Sequence, residues 1–161
     1  MNQTVKQTAP FADGPAFRLA ETAAHAALVK KGEDVLVLDL AGRSDVADYF
    51  VVVTGGSDQQ VDAVARGVVE AAAADGQKLL HGEGRDRNYW VLLDFVDVIV
   101  HVLQPRARQY YALERLWNDA PRLEVGVDYF ARAEIRERRP DLQLVRLAGR
   151  DGETTPTGGG A

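Results

Sequence analysis

A chain of 161 residues, 46% hydrophobic and 27% charged, is long enough for one well-buried domain and too short for two comfortable ones. It contains no cysteine, which excludes disulfides and thiolate zinc sites. Neither the polar opening MNQTVKQTAPFADG nor any later run offers the apolar stretch of a signal peptide or of a bilayer span, which needs roughly 20 residues, so the expected location is the cytoplasm. The net charge of −5 argues against nucleic acid as the main partner, because that affinity comes largely from cations neutralising phosphate. The charge is also uneven. Residues 16–120 hold 11 basic and 16 acidic side chains, whereas residues 122–150 hold seven Arg against five acids. The body should therefore prefer protein surfaces, and the basic tail could touch RNA.

In chain order, residues 1–15, with Pro10, Gly14 and Pro15, read as a flexible leader. Residues 16–31 place Leu19, Ala23, Ala26, Ala27 and Val29 at helical spacing, and Gly32 ends that helix. VLVLDL at 35–40 and YFVVVT at 49–54 are short, nearly continuous apolar runs of the kind buried strands use. Ser57 and Gln60 have capping-box spacing at the start of a helix over 58–74, with Val61, Val64, Val68 and Ala72 on one face and Gly76 as its stop. A short third strand is expected at 78–81 and a loop at 82–88. Two antiparallel strands follow at 89–94 and 97–103, joined at Asp94-Phe95-Val96-Asp97. Pro105 suits the first turn of a last helix on which Tyr110, Leu113 and Trp117 share a face. Residues 124–139 read as a charged helix with few buried positions, 142–147 as a peripheral strand, and 149–161 as a disordered tail. The sum is one α/β domain with a mixed five-stranded sheet flanked by helices.

Four constellations invite a chemical reading. Gly55-Gly56-Ser57, between a strand and a helix, could cradle a phosphate or hold the Gly-Ser turn of a magnesium-dependent nucleotidyltransferase. Asp58, however, already complements the helix dipole and would repel a phosphate, and no P-loop Lys follows. A strand-to-helix turn with a Ser cap is therefore favoured. Asp94 and Asp97, with Asp39 or Asp48 as a third carboxylate, could bind magnesium; turn chemistry explains the pair more simply. His101 lies within the apolar run VDVIV-H-VL. No ligand spacing links it to His25 or His81, so a histidine hydrogen-bonded on the sheet face is the better reading. Finally, Trp90, Leu92 and Asp94 face one side of their strand and Tyr89, Val91 and Leu93 the other. One side packs on helices. The other is either core or a protein-binding surface, where Trp and Tyr are enriched.

Two blocks carry a family resemblance. ADYFVVVTGGSDQQVDAVA, residues 47–65, and EG at 83–84 followed by WVLLDFVDVIVHVLQPRARQYYALERLWNDAP, residues 90–121, resemble the ribosomal silencing factor, or iojap-like, family. With the looser first helix and strand the resemblance covers about residues 16–121. It implies a nucleotidyltransferase-like α/β domain without the catalytic site, no cofactor, and a homodimer when free. It also implies binding to ribosomal protein L-fourteen on the intersubunit face of the large subunit, where the factor sterically blocks joining of the small subunit and represses translation. Trp90, Leu92, Asp94, His101, Arg108, Tyr111, Leu113, Glu114 and Trp117 stand where the family motif has the same residue types, and Tyr49 matches its A-D-Y-F aromatic. Val96 replaces a Gly common in the turn, which speaks against a positive φ there because β-branched residues resist it. Gln59 stands where Arg is frequent, and Arg106 where an acid is.

The resulting expectation is a non-enzymatic ribosome-binding protein. Its ribosomal silencing domain spans residues 16–121, followed by a charged extension over 122–148. Trp90 and Tyr111 are the aromatic anchors for the partner, Leu92 adds apolar surface, and Asp94 and Glu114 are the charged contacts. Tyr49, Tyr110, Leu113 and Trp117 serve the core or the dimer. The competing expectation is a magnesium-using nucleotidyltransferase built on Gly55, Ser57 and Asp94.

Overall fold

The computed structural model describes residues 9–142. Two compact units divide at Glu124 and Val125. In the first, helix α1 (Pro15–Val29) leads into β1 (Glu33–Asp39) and β2 (Tyr49–Thr54), then α2 (Asp58–Ala74), β3 (His81–Glu83), β4 (Trp90–Asp94), β5 (Val98–Leu103), the short helices α3 (Pro105–Tyr111) and α4 (Leu113–Leu116), and β6 (Arg122–Glu124). The six strands form one mixed sheet in the order β3-β4-β5-β2-β1-β6. Only the central β2–β5 pair is parallel; the rest are antiparallel.

Strand periodicity sorts the apolar side chains onto two faces. Val35, Val37, Tyr49, Val51, Val53, Val91, Leu93, Val98, Val100 and Val102 are buried on the side that α1 and α2 cover. Leu36, Leu38, Phe50, Val52, Ile99 and Leu103 form a second cluster on the opposite side, with Leu40, Ala107 and Ala120. Continuous apolar runs in β1, β2 and β5 are thus explained by burial on both faces, as in any internal strand of a layered domain. Ser57 caps α2 by accepting from the Gln60 backbone N–H at 3.1 Å.

Several expectations need correction. The sheet has six strands rather than five, because Arg122–Glu124 pairs with β1. The third strand is His81–Glu83, not 78–81, since its extent is fixed by pairing with Asp94, Leu93 and Leu92 of β4. Pro15 opens α1 instead of ending a leader, a first-turn place that suits a residue without an N–H. Gln60 does not close the capping box. Its side chain donates to the Lys30 carbonyl instead. The last helix breaks at Ala112, which is left-handed at φ 46 and ψ 57. Tyr110, Leu113 and Trp117 therefore do not share one helical face: Tyr110 is 79% exposed and Leu113 is buried. Val96 does adopt a positive φ of 82°. Its side chain is exposed, and its N–H is held by Asp94 Oδ1 at 2.8 Å.

In the second unit, the single charged helix expected over 124–139 is two short ones, α5 (Val127–Ala131) and α6 (Ala133–Arg138), separated by an extended Arg132. They bury Tyr129, Phe130 and Ile135. The Arg132 guanidinium stacks 5.1 Å from the Tyr129 ring centroid, and Arg139 pairs with Asp141 through two hydrogen bonds of 3.1 and 2.8 Å. The strand expected over 142–147, apart from Leu142, and the tail over 149–161 lie outside the described residues.

Candidate functional site

The second face of the sheet carries most of the residues singled out by sequence. Along β4, Val91 and Leu93 are fully buried while Trp90, Leu92 and Asp94 are half-buried. Trp90 and Leu92 pack against the Leu36–Phe50–Ile99 cluster, as does Trp117. Ala107 of α3 and Trp117, which follows α4, pack on this face, and its rings form a row. Trp117 meets Phe50 edge-on at 6.2 Å, and Phe50 meets His101 edge-on at 4.5 Å. Trp90 lies 5.9 Å from His101 and 4.5 Å from Tyr111, and Tyr111 meets Tyr110 at 4.9 Å, perpendicular to it. At one end of the row Tyr111 is 45% and Tyr110 79% exposed. Tyr49 belongs to the opposite face, buried with its ring 5.7 Å from Phe17. Burial, then Asp39 and Asp48, push its hydroxyl up to about 12.

His101 sits in the middle of the row and is 3% exposed. It takes a hydrogen bond at its Nδ1 from the Trp90 indole Nε1, at 3.1 Å. Burial pushes its imidazole down to about 4, so the ring is neutral near pH 7 and its proton belongs on Nε2. That nitrogen is buried and has no partner among the described residues. The geometry supports the reading of a histidine hydrogen-bonded on the sheet face.

Arg108 ties the roof to the sheet. Its Nε donates to Glu114 Oε2 at 2.9 Å, and its Nη1 donates to the Asp34 carbonyl at 2.6 Å and to Thr54 Oγ1 at 2.9 Å. One guanidinium thus joins α3, α4, the irregular start of β1 and the end of β2, a task suited to its rigid fork of donors. Both side chains of the Arg108–Glu114 pair are largely buried. Glu114 therefore stands in the site chiefly as the partner of Arg108.

The acids do not assemble with the Gly-Ser turn. Tyr49 and Asp94 are in register with Val98 and Ile99 at the start of β5, and Asp48 bonds through its N–H to the Asp97 carbonyl. Gly55 instead meets Leu103 at the other end of β5. A six-residue strand separates the two groups by roughly 16 Å. Asp94 Oδ1 serves the Val96 turn, and Asp39 accepts from the backbone N–H groups of Phe11 and Ala41. Among the described residues no group of three His, Cys, Asp or Glu side chains could hold a metal ion. Gly55 itself is explained by close packing, since a Cβ there would lie 2.8 Å from Val61 Cγ2 and 3.0 Å from its backbone N. Gly56, Ser57 and Asp58 line an open groove with Arg87, Tyr89 and Gln104.

Sequence reasoning missed Phe50 as the ring that links His101 to Trp117, although its alternation with Val52 in YFVVVT placed it on the right face. The Ala112 break left no sequence signal, because Ala is the strongest helix former.

Comparison with known proteins fits this architecture. The family model described as "Ribosomal silencing factor during starvation" matches residues 14–145. A ribosomal silencing factor of Bacillus subtilis is 49% identical over 92 residues, 57% of this chain and 78% of that protein. Its counterpart in Halalkalibacterium halodurans is 40% identical over 107 residues, 66% of this chain and 92% of that protein. A crystal structure of a Chromobacterium violaceum protein superposes with a TM-score of 0.64 at 33% identity, covering 65% of this chain and 88% of that one. With the family model spanning most of its length and relatives this similar, the chain belongs to the ribosomal silencing factor, or iojap-like, family.

Proposed function

We propose that this protein silences ribosomes by docking on ribosomal protein L-fourteen of the large subunit and sterically blocking the small subunit from joining, which represses translation. The observation that carries this reading is the aromatic row on the second face of the sheet, in which half-buried Trp90 meets the exposed Tyr111. Large rings supported from beneath by other rings lose little entropy on binding and form the usual hot spots of protein interfaces. In this proposal Trp90 and Tyr111 are the anchors and Leu92 widens the apolar patch. Asp94 meets positive charge on a basic ribosomal protein, and Glu114 supports the face by holding Arg108. Exposed Tyr110 and Leu116 suit contact with a second copy, giving a homodimer when the protein is free. The Arg-rich segment over 122–150 would add a contact with ribosomal RNA, recognisable as a steep loss of affinity with rising salt.

The test is pelleting of purified large subunits through sucrose with the full chain and with Trp90→Ala. Loss of a central anchor costs about 2 kcal/mol, or roughly 30-fold in affinity. A folded variant that pellets with subunits as well as the parent removes Trp90 from the interface.

A further inference from the structure

His101 is buried and has no surface to offer a partner, yet it is poorly suited to the core it occupies. A buried donor without a partner is destabilising, and its Nε2 has none among the described residues. A hydrocarbon side chain would fill the site between Phe50 and Trp90 without that cost. What an imidazole supplies and a hydrocarbon cannot is the acceptor Nδ1, which takes the Trp90 indole N–H at 3.1 Å. Leu92 is the residue directly across from His101, so Trp90 reaches the ring along the diagonal of the β4–β5 ladder. Phe50, edge-on at 4.5 Å, backs the imidazole, and Tyr111 lies against the indole at 4.5 Å.

We infer that His101 is a positioning residue: by holding the indole N–H of Trp90 inward, it fixes that ring on the docking face and makes Trp90 an apolar, cation-stacking surface instead of a hydrogen-bond donor to the partner. The functional half of this inference rests on the docking face proposed above. Tryptophans at interfaces commonly use their N–H as a polar handle; here that handle is already committed within the chain. The complementary group on the partner is accordingly aliphatic or a Lys or Arg side chain lying over the indole, and not a carbonyl or carboxylate aimed at Nε1.

Nuclear magnetic resonance of the 15N-labelled full chain tests the bond without a ribosome. Trp90→Phe identifies the Trp90 indole signal. The wild-type protein should show His101 as the tautomer protonated on Nε2 near pH 7. His101→Phe should shift the Trp90 Nε1–H signal and speed its exchange with water, and His101→Asn, whose Oδ1 takes the place of Nδ1, should restore both. A tautomer protonated on Nδ1, or an indole signal that His101→Phe leaves unmoved, overturns the inference; the tautomer measurement needs no variant to fold. On large subunits, His101→Phe should bind roughly fivefold more weakly, the factor of about one net hydrogen bond, with His101→Asn close to wild type. Trp90→Phe combined with His101→Phe should be no worse than Trp90→Phe alone, because the bond is already absent there. A further loss in the double variant means that His101 supports binding by a route other than the indole N–H and overturns the inference. Unchanged binding by Trp90→Ala sinks the docking reading and the positioning role with it, while the resonance data still report the bond.

Discussion

Acidification should destabilise this protein through one residue. His101 titrates at about 4 in the folded chain because it is buried, against about 6.5 when unfolded. Below 6.5 the unfolded chain binds a proton that the folded chain refuses, so stability present above that pH is lost as pH falls toward 4. Proton linkage puts the loss at about 1.4 kcal/mol at pH 5.5 and about 2.5 kcal/mol at pH 4.5. Carboxylates also titrate in this window, so the quantity to measure is the difference between wild type and His101→Asn, which lacks the group. Urea unfolding at pH 7.5, 5.5 and 4.5 gives it. The advantage of the wild type over the variant should shrink by about those amounts as pH falls. A difference that stays constant across the three pH values would refute the neutral, buried histidine and the bond it accepts.

Other substitutions probe the supports of the site. Arg108→Ala strands Glu114 and Thr54 Oγ1 and should cost on the order of 3 kcal/mol in urea unfolding; Arg108→Lys should rescue little, because an ammonium cannot reproduce the fork. Val96→Gly relieves a β-branched residue held at φ 82°. Strain relief of about 1–2 kcal/mol outweighs the backbone entropy of glycine, about 0.5–1 kcal/mol, so the unfolding midpoint should rise. Gly84→Ala should do the reverse, and severely: φ is +87°, and the new Cβ would fall 2.0 Å from the Trp90 carbonyl oxygen. A stable Gly84→Ala protein with normal large-subunit binding would contradict the described path of the chain beside Trp90.

Where local signals and burial agreed, the chain could be read to the residue. Tyr49–Thr54 and Asp58–Ala74 were legible because a β-branched run, a Ser cap and a terminal Gly all favour the same boundaries. Elements decided by distant partners were not legible. The register of His81–Glu83 depends on β4, and Arg122–Glu124 is a strand only because β1 offers an edge. The Ala112 break runs against the propensity of its own residue and is accompanied by the Arg108–Glu114 bond and a buried Leu113. At the site, alternation separated Trp90 and Leu92 from Val91 and Leu93. It could not say which side was open, since both sides are apolar. The Trp90–His101 bond lies along a diagonal between strands, so it became visible only once the β4–β5 register was known.

The proposed role of the aromatic face is to keep ribosomal subunits apart. It is tested most directly by mixing purified large and small subunits with the full chain and following formation of the joined particle by light scattering. Wild-type protein should suppress joining in proportion to large-subunit occupancy, and folded Trp90→Ala should do so only at roughly 30-fold higher concentration. Joining that proceeds normally with saturating wild-type protein, or that Trp90→Ala suppresses equally well, would contradict it.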